Sequence, residues 1–240
     1  PLGGYPFSFL DHQYQEHNLS DTSQQTNTQK CSQVGLSEAN ARRAIALANI
    51  FSPYTIAYTL PTAGFASLFM QTRVQPVIDG SDYLKEAVSK DTNNSEVKRF
   101  GESFIFLKGA ATSNAPISIP CDHLVHDEVD FCDQTILSQY LSRLTHSKHQ
   151  RIDRISTPTL PDYGINKFFK ASRRWFNLAK CNHCNHYFIP DYYKHVVIPG
   201  YLGDLLQLNK ENLIKTRYKE AYVGCPACAK EVDLGPAQRE

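Results

Sequence analysis

The chain has 240 residues, a formal net charge of +1, 41% apolar residues and seven cysteines. That is enough to bury one large domain, or one domain plus a small module, and a balance so close to zero neither demands nor forbids a nucleic-acid partner. The longest apolar runs, such as Tyr54 to Leu60, fall far short of the ~18–20 residues of a membrane span, and no charged-then-apolar leader opens the chain, so a membrane or secreted protein is not expected.

Pro1-Leu2-Gly3 has the form of a scar left by a cleaved affinity tag. Residues 4 to about 28 are polar and at most lightly structured. Ser37, followed by an acid, reads as the N-cap of a helix through Phe51, with Ala41, Ala44, Ile45, Ala48 and Ile50 on nearly one side. Tyr54 to Leu60 reads as a buried strand between Ser52-Pro53 and Pro61-Thr62. Ala63 to Arg73 returns to helical spacing with Phe65, Leu68, Phe69 and Met70 as its apolar face. Asp79 to Glu96 is charged and Asn-rich, a surface stretch. Ser103 to Leu107 is a short strand, Ile117 to Val125 a strand leading into an acidic corner, Ile136 to Leu144 an amphipathic helix, and Arg151 to Ser156 another strand. Alternating strands and helices predict a mainly parallel α/β sheet covered on both faces, and such sheets bind ligands at their strand ends.

Three short segments carry chemistry. His123-Leu-Val-His-Asp-Glu128 ends a strand in two carboxylates. One, Asp127, is placed to hold Mg²⁺, and the next, Glu128, to polarise an attacking water in phosphoryl transfer. A solvated turn explains the pair equally well. The phosphate-binding pattern GxxxxGK[ST] is absent, but Lys30-Cys-Ser-Gln-Val-Gly-Leu-Ser37 keeps its glycine (Gly35) and its final hydroxyl (Ser37) in place. Only the lysine has moved, from the seventh position to the first, where its long stem can still reach back to the β/γ-phosphates. Taken alone the octapeptide reads first as a helix cap behind a polar loop. Ser156-Thr157-Pro158, at the end of a strand, is either an ordinary turn or a sensor of the γ-phosphate. The segment Ser23 to Gln29 is too polar for a strand buried on both faces, which implies either a wet sheet edge there or a weak nucleotide site.

The seven cysteines divide. Cys31, Cys121 and Cys132 are scattered, whereas Cys181-Asn-His-Cys184 and Cys225-Pro-Ala-Cys228 are two CxxC knuckles. An odd total argues against a secreted disulfide framework, and four thiolates supply the closed shell of a structural Zn²⁺ at ~2.3 Å per bond. His183 and His186 read as surface residues, because four thiolates leave no open position. Between Arg143 and Lys180 lie nine basic and two acidic residues, interleaved with Tyr163, Phe168, Phe169, Trp175 and Phe176. That composition suits phosphate contacts, or a solvated helix face over a core, about equally.

The ordered set resembles the large terminase subunit of tailed double-stranded DNA bacteriophages, in particular its lambda-like branch. It comprises Lys30 to Glu38, Tyr58-Thr-Leu-Pro-Thr62 with the helix through Arg73-Val-Gln-Pro76, Phe106-Leu-Lys-Gly109, Asp122 to Asp130, and Ser156-Thr-Pro-Thr-Leu-Pro161 with Gly164-Ile165. The resemblance implies an ASCE-type P-loop NTPase core over residues 4–176 and a zinc-ribbon module over 177–240, cut off before a metal-dependent nuclease. Lys30, Gln33, Gly35 and Ser37 would bind the nucleotide, Ser37 and Asp127 the Mg²⁺, and Glu128 would be the catalytic carboxylate. Ser156, Thr157 and Pro158 would couple hydrolysis to movement, and one of Arg42, Arg43, Arg73 or Arg154 would act as an arginine finger. An adenine-recognition segment is expected somewhere in Tyr5 to Tyr14. The implied activity is ATP hydrolysis that drives viral double-stranded DNA into a procapsid. The implied partners are DNA, the portal protein and the small terminase subunit, met by a homo-oligomeric ring in the host cytoplasm. A helicase-like DNA-dependent ATPase is the nearest alternative, and a non-catalytic zinc-bearing assembly module the second.

Overall fold

A computed structural model describes residues 8–10, 12–112 and 119–235. The expected tag remnant and the first two residues of the strand expected from Ile117 lie outside them, as do Tyr5 to Phe7 and Asp11 of the expected adenine segment. The chain divides into two compact units, one built mainly from Gln15–Arg174 and one from Trp175 onward together with the segment around Phe9–Tyr14.

The first unit begins with α1 (Tyr14–Ser20), β1 (Gln25–Gln29), α2 (Leu36–Ile50), β2 (Ile56–Leu60) and α3 (Ala63–Phe69). It continues through a π-helical turn, Met70–Val74, into α4 (Gln75–Asp79), α5 (Asp82–Ala87), β3 (Val88–Asn93), β4 (Val97–Phe100) and β5 (Ser103–Gly109). The last elements are β6 (His123–Asp127), α6 (Gln134–Tyr140), β7 (Arg151–Ser156) and α7 (Gly164–Lys170). The strands form one seven-stranded sheet in the order β1-β7-β6-β2-β5-β4-β3. The run β1-β7-β6-β2-β5 is parallel, and β4 and β3 are added antiparallel at the far edge. This is the expected mainly parallel α/β sheet.

Side-chain alternation assigns each face its helices. Tyr58, Leu60, Val125 and Ile155 pack with Ala41, Ala44, Ile45 and Ala48 of α2. On the opposite face Ala57, Leu124 and Ile152 meet Ile136, Leu137 and Tyr140 of α6 and Leu144. The central strands β2 and β6 are buried at every position, which is why they read as apolar runs. β1 is the sheet edge, so its polar Gln25-Thr-Asn-Thr-Gln29 is accommodated there, with Thr26 Oγ1 donating to buried Asp153 at 2.7 Å.

Several local expectations are corrected. The N-cap of α2 is Gly35, with φ 72°, and Ser37 lies inside the first turn. Ile50, expected on the apolar side of α2, is exposed; so are Phe65 and Leu68, and only Phe69 and Met70 of that second expected face are buried. The helix also does not stop near Arg73; the wider π turn carries the chain past Pro76, whose ring removes a backbone donor. The surface stretch Asp79 to Glu96 contains α5 and β3, which closes a hairpin onto β4. Asn94 Oδ1 accepts from the backbone N–H groups of Glu96 and Val97, each at 2.9 Å, and shapes the turn.

The second unit is built from short pieces: β8 (Ala179–Lys180), β9 (Tyr187–Phe188), α8 (Tyr192–His195), β10 (Val196–Val197), α9 (Lys210–Leu213) and β11 (Tyr222–Val223). Its buried core is small, comprising Ala179, Cys181, Phe188, Cys225 and Val232.

Candidate nucleotide and metal sites

The loop between β1 and α2 turns on two left-handed residues, Gln33 at φ 61° and Gly35 at φ 72°. Gly35 is demanded twice over: its backbone disfavours a side chain, and a Cβ there would sit 2.6 Å from Gln15 Nε2. Gln15, buried in α1, donates to the Val34 carbonyl at 2.7 Å and braces the loop from beneath. No side chain caps α2, and the N-terminal end of this 15-residue helix meets the loop, an arrangement suited to an anion.

Across from this loop β6 ends in Asp127. Its Oδ2 accepts from the Tyr58 hydroxyl at 2.7 Å and its Oδ1 from the Glu128 N–H at 2.9 Å, and the Ser37 side chain also bonds it. Engagement with Asp127 explains why Ser37 does not cap its own helix. Burial pushes the Asp127 carboxyl above its ordinary range, with the Tyr58 and Ser37 hydrogen bonds pulling the other way. Glu128 follows in left-handed backbone, φ 53° and ψ 47°, which turns its carboxylate toward the loop. Lys30 Nζ meets Glu128 Oε1 at 3.0 Å, the lysine side chain 7% exposed and the glutamate 26%. The displaced lysine therefore does reach back over the loop. The Lys30 N–H also donates to the Ser156 carbonyl at 3.0 Å, tying the loop to the end of β7.

The structure thus brings Lys30, Ser37, Asp127, Glu128 and Ser156 into one cluster at the strand ends. Gln33 is exposed on the loop beside it, and Thr157 and Pro158 lead away from Ser156, half-buried. Gln15 is not singled out by the sequence, and Tyr58, Asp130, Thr159 and Gly164 lie within the matching segments without a role of their own. Only Tyr58 left a usable signal, standing two residues before the end of the strand next to Asp127. Of the four arginines considered as a finger, Arg154 is buried, its guanidinium 4.4 Å from the Phe168 ring centroid, and Arg43 faces Asp153. Arg42 bonds Glu38 at 3.0 Å, and Arg73, half exposed, lies 3.9 Å from Glu38. The basic stretch is likewise divided: Arg151 pairs with Asp153 and Lys170 with Asp162, while Lys148, Lys167, Arg173 and Arg174 are exposed.

A family model for the ATPase domain of the phage terminase large subunit gpA matches residues 15–237. The chain belongs to this terminase family. The family is one of ATP-hydrolysing motor domains that work with a divalent metal such as Mg²⁺. No curated protein sequence gives a significant match. Among solved structures, the large terminase ATPase domain of Thermus phage P74-26 matches at TM-score 0.56 and 17% identity, over 73% of this chain and 73% of that one. The large terminase of bacteriophage HK97 matches at 0.56 and 14%, over 70% and 37%. The large terminase of a thermophilic bacteriophage matches at 0.52 and 12%, over 69% and 42%. At such identities these likenesses carry the fold of the terminase domain. The chain spans about two fifths of the length of the last two of these relatives.

In the terminase's second unit the two CxxC knuckles repeat one geometry. Asn185 N–H donates to Cys181 O at 2.9 Å and Ala229 N–H to Cys225 O at 2.9 Å, and Asn185 and Ala229 are both left-handed, at φ 59° and 58°. Cys181 Sγ accepts from His183 N–H and Cys225 Sγ from Ala227 N–H, each at 3.4 Å. Cys181 Sγ lies 3.7 Å from Cys228 Sγ and Cys184 Sγ 3.6 Å from Cys225 Sγ, and all four sulfurs fall within 4.8 Å of one another. A tetrahedron with ~2.3 Å metal–sulfur bonds has edges of about 3.8 Å, so the donor set fits Zn²⁺. His183 and His186 are exposed.

Proposed function

We propose that this terminase domain hydrolyses ATP at Lys30, Ser37, Asp127 and Glu128, and that hydrolysis drives viral double-stranded DNA into a procapsid. The observation that carries the reading is the Lys30–Glu128 contact at 3.0 Å directly beside the Asp127–Tyr58 hydrogen bond at 2.7 Å. It joins a lysine displaced from the usual phosphate-loop position to an acidic strand end in a single pocket of opposed charges.

In this mechanism the N-terminal amides of α2, Gln33 and Lys30 bind the phosphates. The Ser37 hydroxyl and the Asp127 carboxylate would hold Mg²⁺, which would supply positive charge to offset that of the phosphates. Tyr58 fixes the rotamer of Asp127. As Lys30 shifts to the phosphates it releases Glu128, whose carboxylate orients the attacking water. Ser156, Thr157 and Pro158 pass the change on. Arg73 is the arginine of the four best exposed to serve a neighbouring copy in a ring. The four cysteines hold a structural Zn²⁺, and the exposed Lys148, Lys167, Arg173 and Arg174 contact DNA. The portal protein and small terminase subunit are the expected partners, in the host cytoplasm. A nuclease that cuts the DNA concatemer is proposed for the remainder of the full-length protein.

A packaging reaction with portal-bearing procapsids and the full-length protein tests this. ATP-dependent protection of DNA from external nuclease is expected for the parent and not for Glu128→Gln. Equal protection by both would sink the proposal, and strand separation without protection would favour a helicase.

A further inference from the structure

The third acid of the corner, Asp130, has no place in the nucleotide chemistry, yet its buried side chain gathers three donors from the opposite side of the cluster. Asp130 Oδ2 accepts from Thr159 N–H at 2.8 Å and from Thr159 Oγ1 at 2.9 Å, and Oδ1 accepts from Ile165 N–H at 2.7 Å. Its own N–H donates to Ser156 Oγ at 3.2 Å. One carboxylate and one amide therefore hold the end of β7, the segment after it and the start of α7. Gly164 is shaped to this contact: its φ is +48°, and a Cβ would lie 2.3 Å from Asp130 Oδ1.

Only Val129, which is fully buried, separates Asp130 from Glu128. Glu128 is in left-handed backbone, and its carbonyl accepts from Phe131 N–H at 2.9 Å, closing a tight 3₁₀ turn over Val129–Phe131. Such a turn has little room to deform in the middle, so Asp130 cannot follow a moving Thr159 without carrying Glu128 with it. The connections form a ring. Lys30 Nζ holds Glu128, Lys30 N–H holds Ser156 O, Ser156 Oγ holds Asp130 N–H, and the short turn returns to Glu128. Outward from this ring α7 is fastened by Asn166 to Gln29 at 3.0 Å and by Phe168 under Arg154, and it leads to the exposed Arg173 and Arg174.

We propose that Asp130 is a positioning residue that locks residues 157–165 to the catalytic turn, so that release of Lys30 from Glu128 is transmitted to α7 through the Asp130 carboxylate. The inference rests on the nucleotide site assigned above. Asp130 touches neither nucleotide nor metal; it sets where Glu128 points and what moves when Glu128 does.

Backbone hydrogen exchange over residues 157–165, with and without Mg²⁺ and ATPγS, tests the lock in the parent and in Asp130→Asn, whose single acceptor oxygen cannot serve all three donors. In the parent, nucleotide is expected to change exchange in this segment by about fivefold or more, and in the variant by less than about twofold. The variant should bind ATPγS within about threefold of the parent while kcat for ATP falls at least about tenfold with KM little changed, a split that simple loss of stability would not give. A milder variant, Thr159→Val, removes one of the three donors and should weaken the exchange response in part. Retention of the full response in Asp130→Asn, or in Thr159→Val if the first does not fold, overturns the proposal. So does a parent that binds nucleotide without any response in 157–165. A parent that binds no nucleotide would instead overturn the nucleotide site on which the proposal rests.

Discussion

Removing the lysine that has moved within the phosphate loop should cost nucleotide affinity by an amount the geometry bounds. A charge-assisted hydrogen bond from Lys30 to a phosphate contributes about 1.5–3 kcal/mol. The ammonium is not idle beforehand, because it holds Glu128 at 3.0 Å in a pair whose glutamate is 26% exposed. Giving up a pair open to solvent on one side costs about 1 kcal/mol. The difference, roughly 0.5–2 kcal/mol, corresponds to weakening by about 2–30-fold in Lys30→Ala. The same reasoning gives the opposite sign for Glu128→Gln: it frees Lys30 and removes a like charge facing the phosphates, so binding should tighten by about two- to fivefold. Equilibrium titration of Mg²⁺-ATPγS at fixed ionic strength reads both, and the Lys30→Ala deficit should shrink as salt is raised. Affinity unchanged within twofold in Lys30→Ala, or weakened more than tenfold in Glu128→Gln, would refute the idea that Lys30 exchanges Glu128 for phosphate.

Three further outcomes follow from the same structure. Burial raises the Asp127 pKa, so its stabilising contribution is complete only below the unfolded pKa and is lost as pH rises through the folded one. Asp127→Asn should accordingly raise Tm at neutral pH by a few degrees, at about 2–4 °C per kcal/mol, while abolishing hydrolysis; a fall of similar size would contradict this. Desolvation beside Arg154 lowers His126 to about 3, so it stays neutral in the fold, and desolvation lowers His123 as well, against the opposing pull of Asp153. Their contribution is complete above the unfolded histidine value near 6.5 and is lost as pH falls toward the folded value, at about 1 kcal/mol per pH unit or less; His126→Gln should flatten that slope in pH-dependent denaturant titrations. Elemental analysis should find one zinc per chain, and Cys225→Ser or chelation should expose residues 175–235 to limited proteolysis, because that unit has only a small apolar core to hold it. Unchanged proteolysis after complete chelation would argue against a structural metal.

What could be read in the sequence follows burial. β2, β7 and the helix after the loop are legible because central parallel strands are buried on both faces and α2 buries one stripe; β6 is legible only in part, since the strand expected over Ile117 to Val125 starts at His123 and residues 119–122 lie outside it. The knuckles were legible because thiolate spacing is local. β3 and β4 are not, since the edge strand β3 exposes half of its residues, and the hairpin's turn rests on the side chain of Asn94 in a segment that reads as charged surface. The N-cap was misplaced because the Ser37 hydroxyl serves a carboxylate that lies far along the chain, at the end of β6. The polarity of β1 had left two readings open, and its place at the sheet edge, with Thr26 against Asp153, accounts for it. The role of Asp130 is not legible for a related reason: its partners Thr159 and Ile165 come from beyond the next strand, and only the fold brings them together.

The most direct test of the central claim is the rate of ATP turnover by Glu128→Gln with Mg²⁺ and double-stranded DNA, measured alongside nucleotide binding. Loss of the water-orienting carboxylate should slow hydrolysis by about 10²–10⁴-fold while ATP remains bound at least as tightly as in the parent. Turnover at the parental rate would show that the Asp127–Glu128 strand end is not where this domain does its chemistry.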